Sequence, residues 1–464
     1  MSDLLSGLKP SPNIRPQLNV GCLLDIPTGR YHLGAYGESI LNGGLAYITG
    51  LCGRGNSFKT TLMLYMFLRV LDRYAGAIST IYDTEMSLTI ARLRELSYRM
   101  IHALLNFDFD NAQQFGMTDR TIYNGTEWYE WLKEATAFRT ALPKSQMVKT
   151  PFLNAIGEHI MMLIPFITGI DSMSQFSAAA LQKIQENGVG ESERNMEAMR
   201  DAASKTQLLM ELPTLTAKCG VYIMMTAHMG DEHQIDPYSP PKQKLAFLKG
   251  KVKIKNVPEK FTFLTNNCWY VLGSAPLQNQ TSKAPEFPRN QADDLKGDTD
   301  LMLLSITNLR AKSGPTGIPF ELIVSQNDGI EPGLSEFYYL KTYGRFGIGG
   351  NDRNYFMDIY PSVNLSRTTI RAKIDADPKL QRALEITSEM CQMDNLWHDL
   401  PTGLMCTPKE LYDDLIAKGY NWDLLLNTRG YWTFDNDKHP IPFLSTMDLL
   451  NMRAGTYRPY WYPK

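Results

Sequence analysis

The chain has 464 residues, 43% of them hydrophobic and 21% charged, an ordinary globular composition with length for two or three domains. A net charge of −2 excludes wholesale attraction to nucleic acid, which would need a local basic patch. The six cysteines (22, 52, 219, 268, 391 and 406) form no close pairs in sequence, which argues against a disulfide framework or zinc site and for a reducing, cytoplasmic setting. No apolar run approaches a membrane span, and the first thirteen residues lack the parts of a secretory signal.

Residues 1–35 are broken by Pro10, Pro12, Pro16 and Pro27 and read as an oligomerisation arm with a loop leading into the core. From 36 to 350, apolar runs alternate with helical patterns, which predicts an α/β fold with a largely parallel central sheet. Strands are expected at 44–50, 77–83, 161–171, 220–228, 267–274 and 301–310, and helices at 59–74 and 192–218. The Pro/Asn/Gln-rich stretch 274–298 reads as a surface loop. After 350 the pattern turns helical and then aromatic, so 351–464 is expected to be a smaller C-terminal α+β domain. Within it, Thr407–Pro408 starts a helix, and 407–434 fits a small helix–turn–wing unit. "RGYWTF" and "TYRPYWYPK" interleave Arg with aromatics, which can stack on single-stranded bases or close a small core.

The first chemical signal is "GRGNSFKTT", Gly53 to Thr61, between an apolar strand and an amphipathic helix. In that setting the backbone of Gly53, Arg54, Gly55, Asn56, Ser57 and Phe58 can cradle phosphates at a helix N-terminus. Lys59 would reach the β- and γ-phosphates of ATP, the Thr60 hydroxyl would ligate Mg²⁺, and Thr61 would stand behind it. Phe58 occupies the place usual for glycine, which implies a loop without an obligatory positive φ there. Leu51 and Cys52, with Gly53, read as extra loop residues ahead of the pattern. Two acids end later strands. Glu85, in "YDTEMSL", is placed to orient and deprotonate a water; Asp171, in "GIDSMSQF", is placed to hold Mg²⁺. His228 ends the next strand, where it can sense a γ-phosphate; with His233 it forms no metal pattern.

This ordered set resembles the RecA-type recombinases, and among them most the phage UvsX branch. The similar features are phenylalanine before lysine in "NSFKT", the string "YDTEMSLTIARLREL", the Asp–Ser strand end and the histidine before a loop. The resemblance covers roughly 25–350 and implies a RecA-like P-loop NTPase core. It also implies a DNA-dependent ATPase that forms filaments on single-stranded DNA, with ATP at subunit interfaces, and pairs it with homologous duplex. It further implies a possible single-strand-binding or mediator partner, and a host-cell cytoplasmic location if the chain is phage-encoded. Arg310 and Lys312 match the basic–x–basic pair that reaches across to a neighbour's triphosphate. The arm is shorter than the UvsX N-terminal module, and the match fades after 355. "GPTG" (314–317) and "TEM" (84–86) also resemble DnaB-type ring helicases, so a closed hexamer is one alternative. A non-cycling, ATP-clamped assembly protein is another.

From Lys242 to Lys260 there are seven lysines (Lys242, Lys244, Lys249, Lys251, Lys253, Lys255 and Lys260) and one acid, Glu259. In an extended ribbon, 249–255 would present lysines on one face and Val252 and Ile254 on the other. Such a face suits a phosphate backbone; the alternative is an edge strand guarded against aggregation. The resemblance places the second DNA-binding loop here. It places the first at 184–199, a stretch rich in acids.

Overall fold

Six parallel strands, running to one edge of a ten-stranded sheet, carry the site. The computed structural model describes residues 14–97, 114–177, 191–217, 219–232, 247–248, 252–289, 297–351 and 353–463, with backbone alone for 191–200. In chain order the sheet strands are β1 (Ile48–Gly53), β2 (Ile78–Asp83), β3 (Phe115–Asp119), β4 (Phe166–Asp171), β5 (Val221–Asp231), β6 (Val252–Ile254), β7 (Asn267–Pro276), β8 (Leu301–Ala311), β9 (Pro319–Ser325) and β10 (Gly329–Ile330). Their spatial order is β10-β9-β8-β7-β1-β5-β4-β2-β3, and β6 pairs with β5. From β7 to β3 every pairing is parallel; β8 to β10 form an antiparallel flank. The fold class is therefore α/β with a largely parallel sheet, as the alternation of patterns predicts. β1 and β4 are buried along their whole length because helices cover both faces, hence their unbroken apolar runs.

Helix α1 (Lys59–Arg73) leaves β1 through the loop and packs beneath the sheet, burying Leu62 to Leu68 and Val70. The chain then returns at β2, with β5 and β4 lying between β1 and β2. Such a change of direction opens a crevice at the carboxyl ends of the strands, where open α/β sheets bind ligands.

Sequence and structure differ at three places. The expected strand 161–171 is two elements. His159–Leu163 pairs with Met147–Leu153 in a separate hairpin, and β4 begins only after Pro165, whose missing N–H interrupts any ladder. Leu51, Cys52 and Gly53 are not extra loop residues; they are the last residues of β1, in register with Thr226, Ala227 and His228. The segment expected as an arm is, from Pro16 to Thr28, buried within its own chain. Tyr65 and Tyr222 donate their hydroxyls to the Val20 and Pro16 carbonyls, and Tyr74 accepts from the Asn19 N–H.

Residues 351–463 add a three-stranded antiparallel sheet (348–350, 355–357, 360–365) and helices Ile370–Ala376, Pro378–Leu396, Pro408–Ala417, Trp422–Leu426 and Thr446–Ala454. Leu365, Ile370, Ile374, Leu380, Leu384 and Trp432 belong to the same hydrophobic cluster as α1 and the sheet. Arg371, 3% exposed, bonds Asp300 at 3.0 Å and Glu331 at 2.8 Å, tying its helix to the antiparallel flank. The packing is thus continuous across residue 350. The wing expected to close the 407–434 unit does not form: residues 429–434 make no strand, only an isolated bridge from Arg429 to Phe443. Trp432 is fully buried against Tyr74 and Phe152 and donates to the Gln17 carbonyl, so it is closed to a base.

Candidate nucleotide site

The loop Arg54–Phe58 joins β1 to α1, and its backbone decides what it can bind. Phe58 is the N-cap of α1 and sits in the left-handed region at φ 57°; Asn56 does so at φ 54°. The expectation that phenylalanine implies a loop free of positive φ is therefore wrong: the backbone takes the conformation that glycine makes easy. For an L-residue this costs ~1–2 kcal/mol, offset by packing of the Phe58 ring against the main hydrophobic cluster. Phe58 offers no side-chain cap, so the first-turn N–H groups of α1 keep no capping acceptor and face the loop's mouth. A Cβ on Gly53 would meet Ser57 Oγ at 2.5 Å, whereas one on Gly55 would meet nothing within 4 Å. The loop is tight at its base and open at its tip.

Lys59 is 6% exposed, and its ammonium donates to the Arg54 carbonyl at 2.6 Å. Ser57 Oγ donates to the same carbonyl at 2.7 Å. Burial pushes the Lys59 pKa down, while the charges of Asp171 and Glu85 oppose the shift. Thr60 Oγ1 donates to Asp171 Oδ2 at 2.5 Å. The other Asp171 oxygen accepts from the Thr226 hydroxyl. Burial pushes the Asp171 carboxyl above its ordinary range, against these two hydrogen bonds. Thr61 lies behind, with its methyl 3.7 Å from the position of a Cβ on Gly329.

Asp83 builds the turn that aims Glu85. Its carboxylate accepts the N–H groups of Glu85, Ser87 and Leu88 at 2.9, 2.7 and 2.8 Å. Thr84 locks the ends of β2 and β4 together, accepting from Ser172 N–H at 2.6 Å and donating to the Ser172 carbonyl at 2.9 Å. Glu85 Oε1 then meets His228 Nε2 at 2.5 Å. That bond is the chief reason the Glu85 carboxyl sits below its usual range.

The donor set fits a nucleotide with its magnesium. Among the described residues no group of three or more His, Cys, Asp or Glu could cage a metal. A hydroxyl and a carboxylate in contact supply the few protein oxygens that Mg²⁺ takes when phosphates and waters complete its shell. Sequence reasoning did not single out Thr226, Thr84 or Ser174. Thr226 had a signal: it stands two residues before His228, on the same face of one strand.

Arg310 and Lys312 lie elsewhere. Arg310 pairs with Cys268, which pairs with Gly50, and the Lys312 N–H donates to the Asn266 carbonyl at the start of β7. They lie two strands over from β1 and three to five residues back along the strand direction from Gly53, roughly 14–19 Å from the loop within the same chain. Burial lowers the Lys312 pKa first, then the neighbouring charges of Arg310 and Arg15. Among the described residues, none of the three has a carboxylate partner at ion-pair distance.

Of the lysine segment, Lys242, Lys244, Lys249 and Lys251 lie outside the described residues, as does 184–190; the backbone of 191–199 is helical. β6 runs antiparallel to the end of β5, with Val252 opposite Asp231, Lys253 opposite Gly230 and Ile254 opposite Met229. Val252 is buried and Lys253 exposed; Val252 and Ile254 belong with the second hydrophobic cluster. Lys255 N–H donates to the His228 carbonyl, and the Lys255 carbonyl accepts from Ser174 Oγ, which itself accepts the His228 N–H. Lys260 opens the short helix Lys260–Leu264, its ammonium 3.2 Å from the Met210 sulfur.

No known family model matches the chain, and no curated protein matches it. Solved structures do: one is the crystal structure of the RadB recombinase, 14% identical, covering 62% of this chain and 92% of that one with a TM-score of 0.33. At that level the likeness carries no argument, and the reading of fold and chemistry rests on the sheet and side chains described above. Among the described residues no helix is long and apolar enough to cross a membrane.

Proposed function

We propose that the chain is a RecA-type, DNA-dependent ATPase of the UvsX kind, assembling on single-stranded DNA and promoting its pairing with homologous duplex. One observation carries the reading. Lys59, Thr60, Asp171, Glu85 and His228 converge at the carboxyl ends of four adjacent parallel strands, around an uncapped helix N-terminus.

The residues divide the work as follows. The loop's N–H groups and Lys59 bind and orient the triphosphate of ATP. Thr60 and Asp171 would hold Mg²⁺, which when bound neutralises charge on the phosphate oxygens. Glu85, ionised at neutral pH, positions a water for in-line attack and accepts its proton. The hydrogen bond from His228 holds Glu85 low in basicity, so a His228 that turns to a γ-phosphate leaves Glu85 a stronger base. Arg310 and Lys312 cannot serve the loop of their own chain, and an assembly that sets one subunit on the next brings them to a neighbour's phosphates. Lys253, Lys255 and the lysines before them contact the DNA backbone.

ATPase assays with and without single-stranded DNA test this reading: hydrolysis stimulated by DNA is expected, and hydrolysis indifferent to DNA would contradict it. Negative-stain images with DNA and an ATP analogue should show open helical filaments; closed rings would point to a helicase.

A further inference from the structure

Arg54 belongs to the phosphate loop, but its side chain leaves it. Nη2 donates to Asp231 Oδ1 at 2.6 Å, and both side chains are more than half exposed, at 54% and 61%. Asp231 is the last residue of β5, and its partner across the ladder is Val252, the first residue of β6. One ion pair therefore joins the phosphate loop to the end of β5, whose ladder partner β6 carries Lys253. The attachment of β6 to the sheet is short: Met229, Gly230 and Asp231 are its partners on β5. Lys255 crosses the strand at Gly230, where an added Cβ would fall 1.6 Å from Lys255 Cε, so the lysine stem lies directly over the glycine.

Resting on the nucleotide reading above, we propose that Asp231 is a positioning residue. It holds the Arg54 guanidinium away from the triphosphate until single-stranded DNA, gripping the lysine strand, draws Asp231 aside. Two anions compete for one guanidinium: the Asp231 carboxylate and the phosphates entering the loop. While Asp231 wins, Lys59 is the loop's one committed cation. Once Arg54 is released, a second cation joins it and the nucleotide binds more tightly. Linkage makes the effect reciprocal: whatever factor DNA adds to nucleotide affinity, nucleotide adds to DNA affinity. Because the pair is exposed and screened by salt, the factor is modest, about two- to five-fold.

The test is equilibrium binding of a fluorescent ATP analogue to the full chain, with and without a single-stranded oligonucleotide. The proteins are wild type, Asp231→Asn, Arg54→Ala and the double variant. Without oligonucleotide, Asp231→Asn should bind the analogue about two- to five-fold more tightly than wild type, and oligonucleotide should add little more. Arg54→Ala should bind more weakly and lose the oligonucleotide response, and adding Asp231→Asn to it should change nothing. High salt should close the gap between wild type and Asp231→Asn. Equal affinities and equal oligonucleotide responses in wild type and Asp231→Asn would overturn the role of the pair, as would a full response in Arg54→Ala. Failure of wild type to bind the analogue would instead overturn the nucleotide reading, and this inference with it.

Discussion

The two ends of the central sheet differ in kind. At the carboxyl end, acids and hydroxyls face an uncapped helix: Asp171, Glu85, Thr60 and Thr226 are bonded to one another or to His228. At the opposite end stand Arg15, Arg310 and Lys312, cations close enough to depress the Lys312 pKa and without carboxylate partners among the described residues. On the proposed reading, a subunit stacked on another would set this edge against the neighbour's phosphate loop, and each chain would carry two complementary halves of a site.

The largest expected effect breaks the cationic half. Arg310→Ala with Lys312→Ala should lower the hydrolysis rate by about 10³–10⁵-fold and leave nucleotide binding to isolated subunits near wild type, read by steady-state kinetics beside analogue binding. Next, Glu85→Gln should lower turnover by about 10²–10⁴-fold while DNA complexes persist longer, measured by filter retention after ATP addition. A smaller loss follows from Lys253→Ala with Lys255→Ala: DNA affinity should fall and the slope of log affinity against log salt should decrease by about one to two.

The seam that holds both ends in one body has its own pH dependence. Burial pushes Asp25 up to about 6, against the pull of Arg73, and Asp448 up to about 7, against hydrogen bonds from Ser39 and Ser445. Acids with raised folded-state pKa values bind more protons folded than unfolded. Their contribution is complete near pH 4 and is lost as pH rises through 6 and 7. Urea midpoints should therefore fall between about pH 4 and 7 by this term, and Asp448→Asn should flatten the decline. The smallest effect concerns Phe58. Phe58→Gly relieves a left-handed residue but removes a packed ring, so stability should move by no more than ~1 kcal/mol, with nucleotide binding retained.

Much of the nucleotide half is legible in sequence, because strand–loop–helix order and acids at strand ends are local patterns. Lys59 and Thr60 begin α1 and Asp171 ends β4, while Glu85 lies two residues past β2 and His228 three residues before the end of β5, which runs on to Asp231; the structure brings all five together. Phe58 shows the limit of local reading: residue identity suggested a relaxed backbone, yet the turn's geometry and the ring's burial override the preference. The strand broken at Pro165 shows another, since one apolar run served two sheets. Arg15 beside Lys312, and Trp432 against Gln17, join residues about 300 and 415 apart in sequence, which no local pattern reports. The buried seam with 351–463 is of the same long-range kind.

Mixing two inactive variants tests the central claim most directly. Lys59→Ala keeps Arg310 and Lys312; Arg310→Ala with Lys312→Ala keeps the loop. Combined one to one with single-stranded DNA and ATP, they should regain hydrolysis, because roughly a quarter of randomly formed interfaces pair an intact loop with intact cations. Activity in the mixture no greater than that of the two variants measured apart would contradict a site shared between subunits.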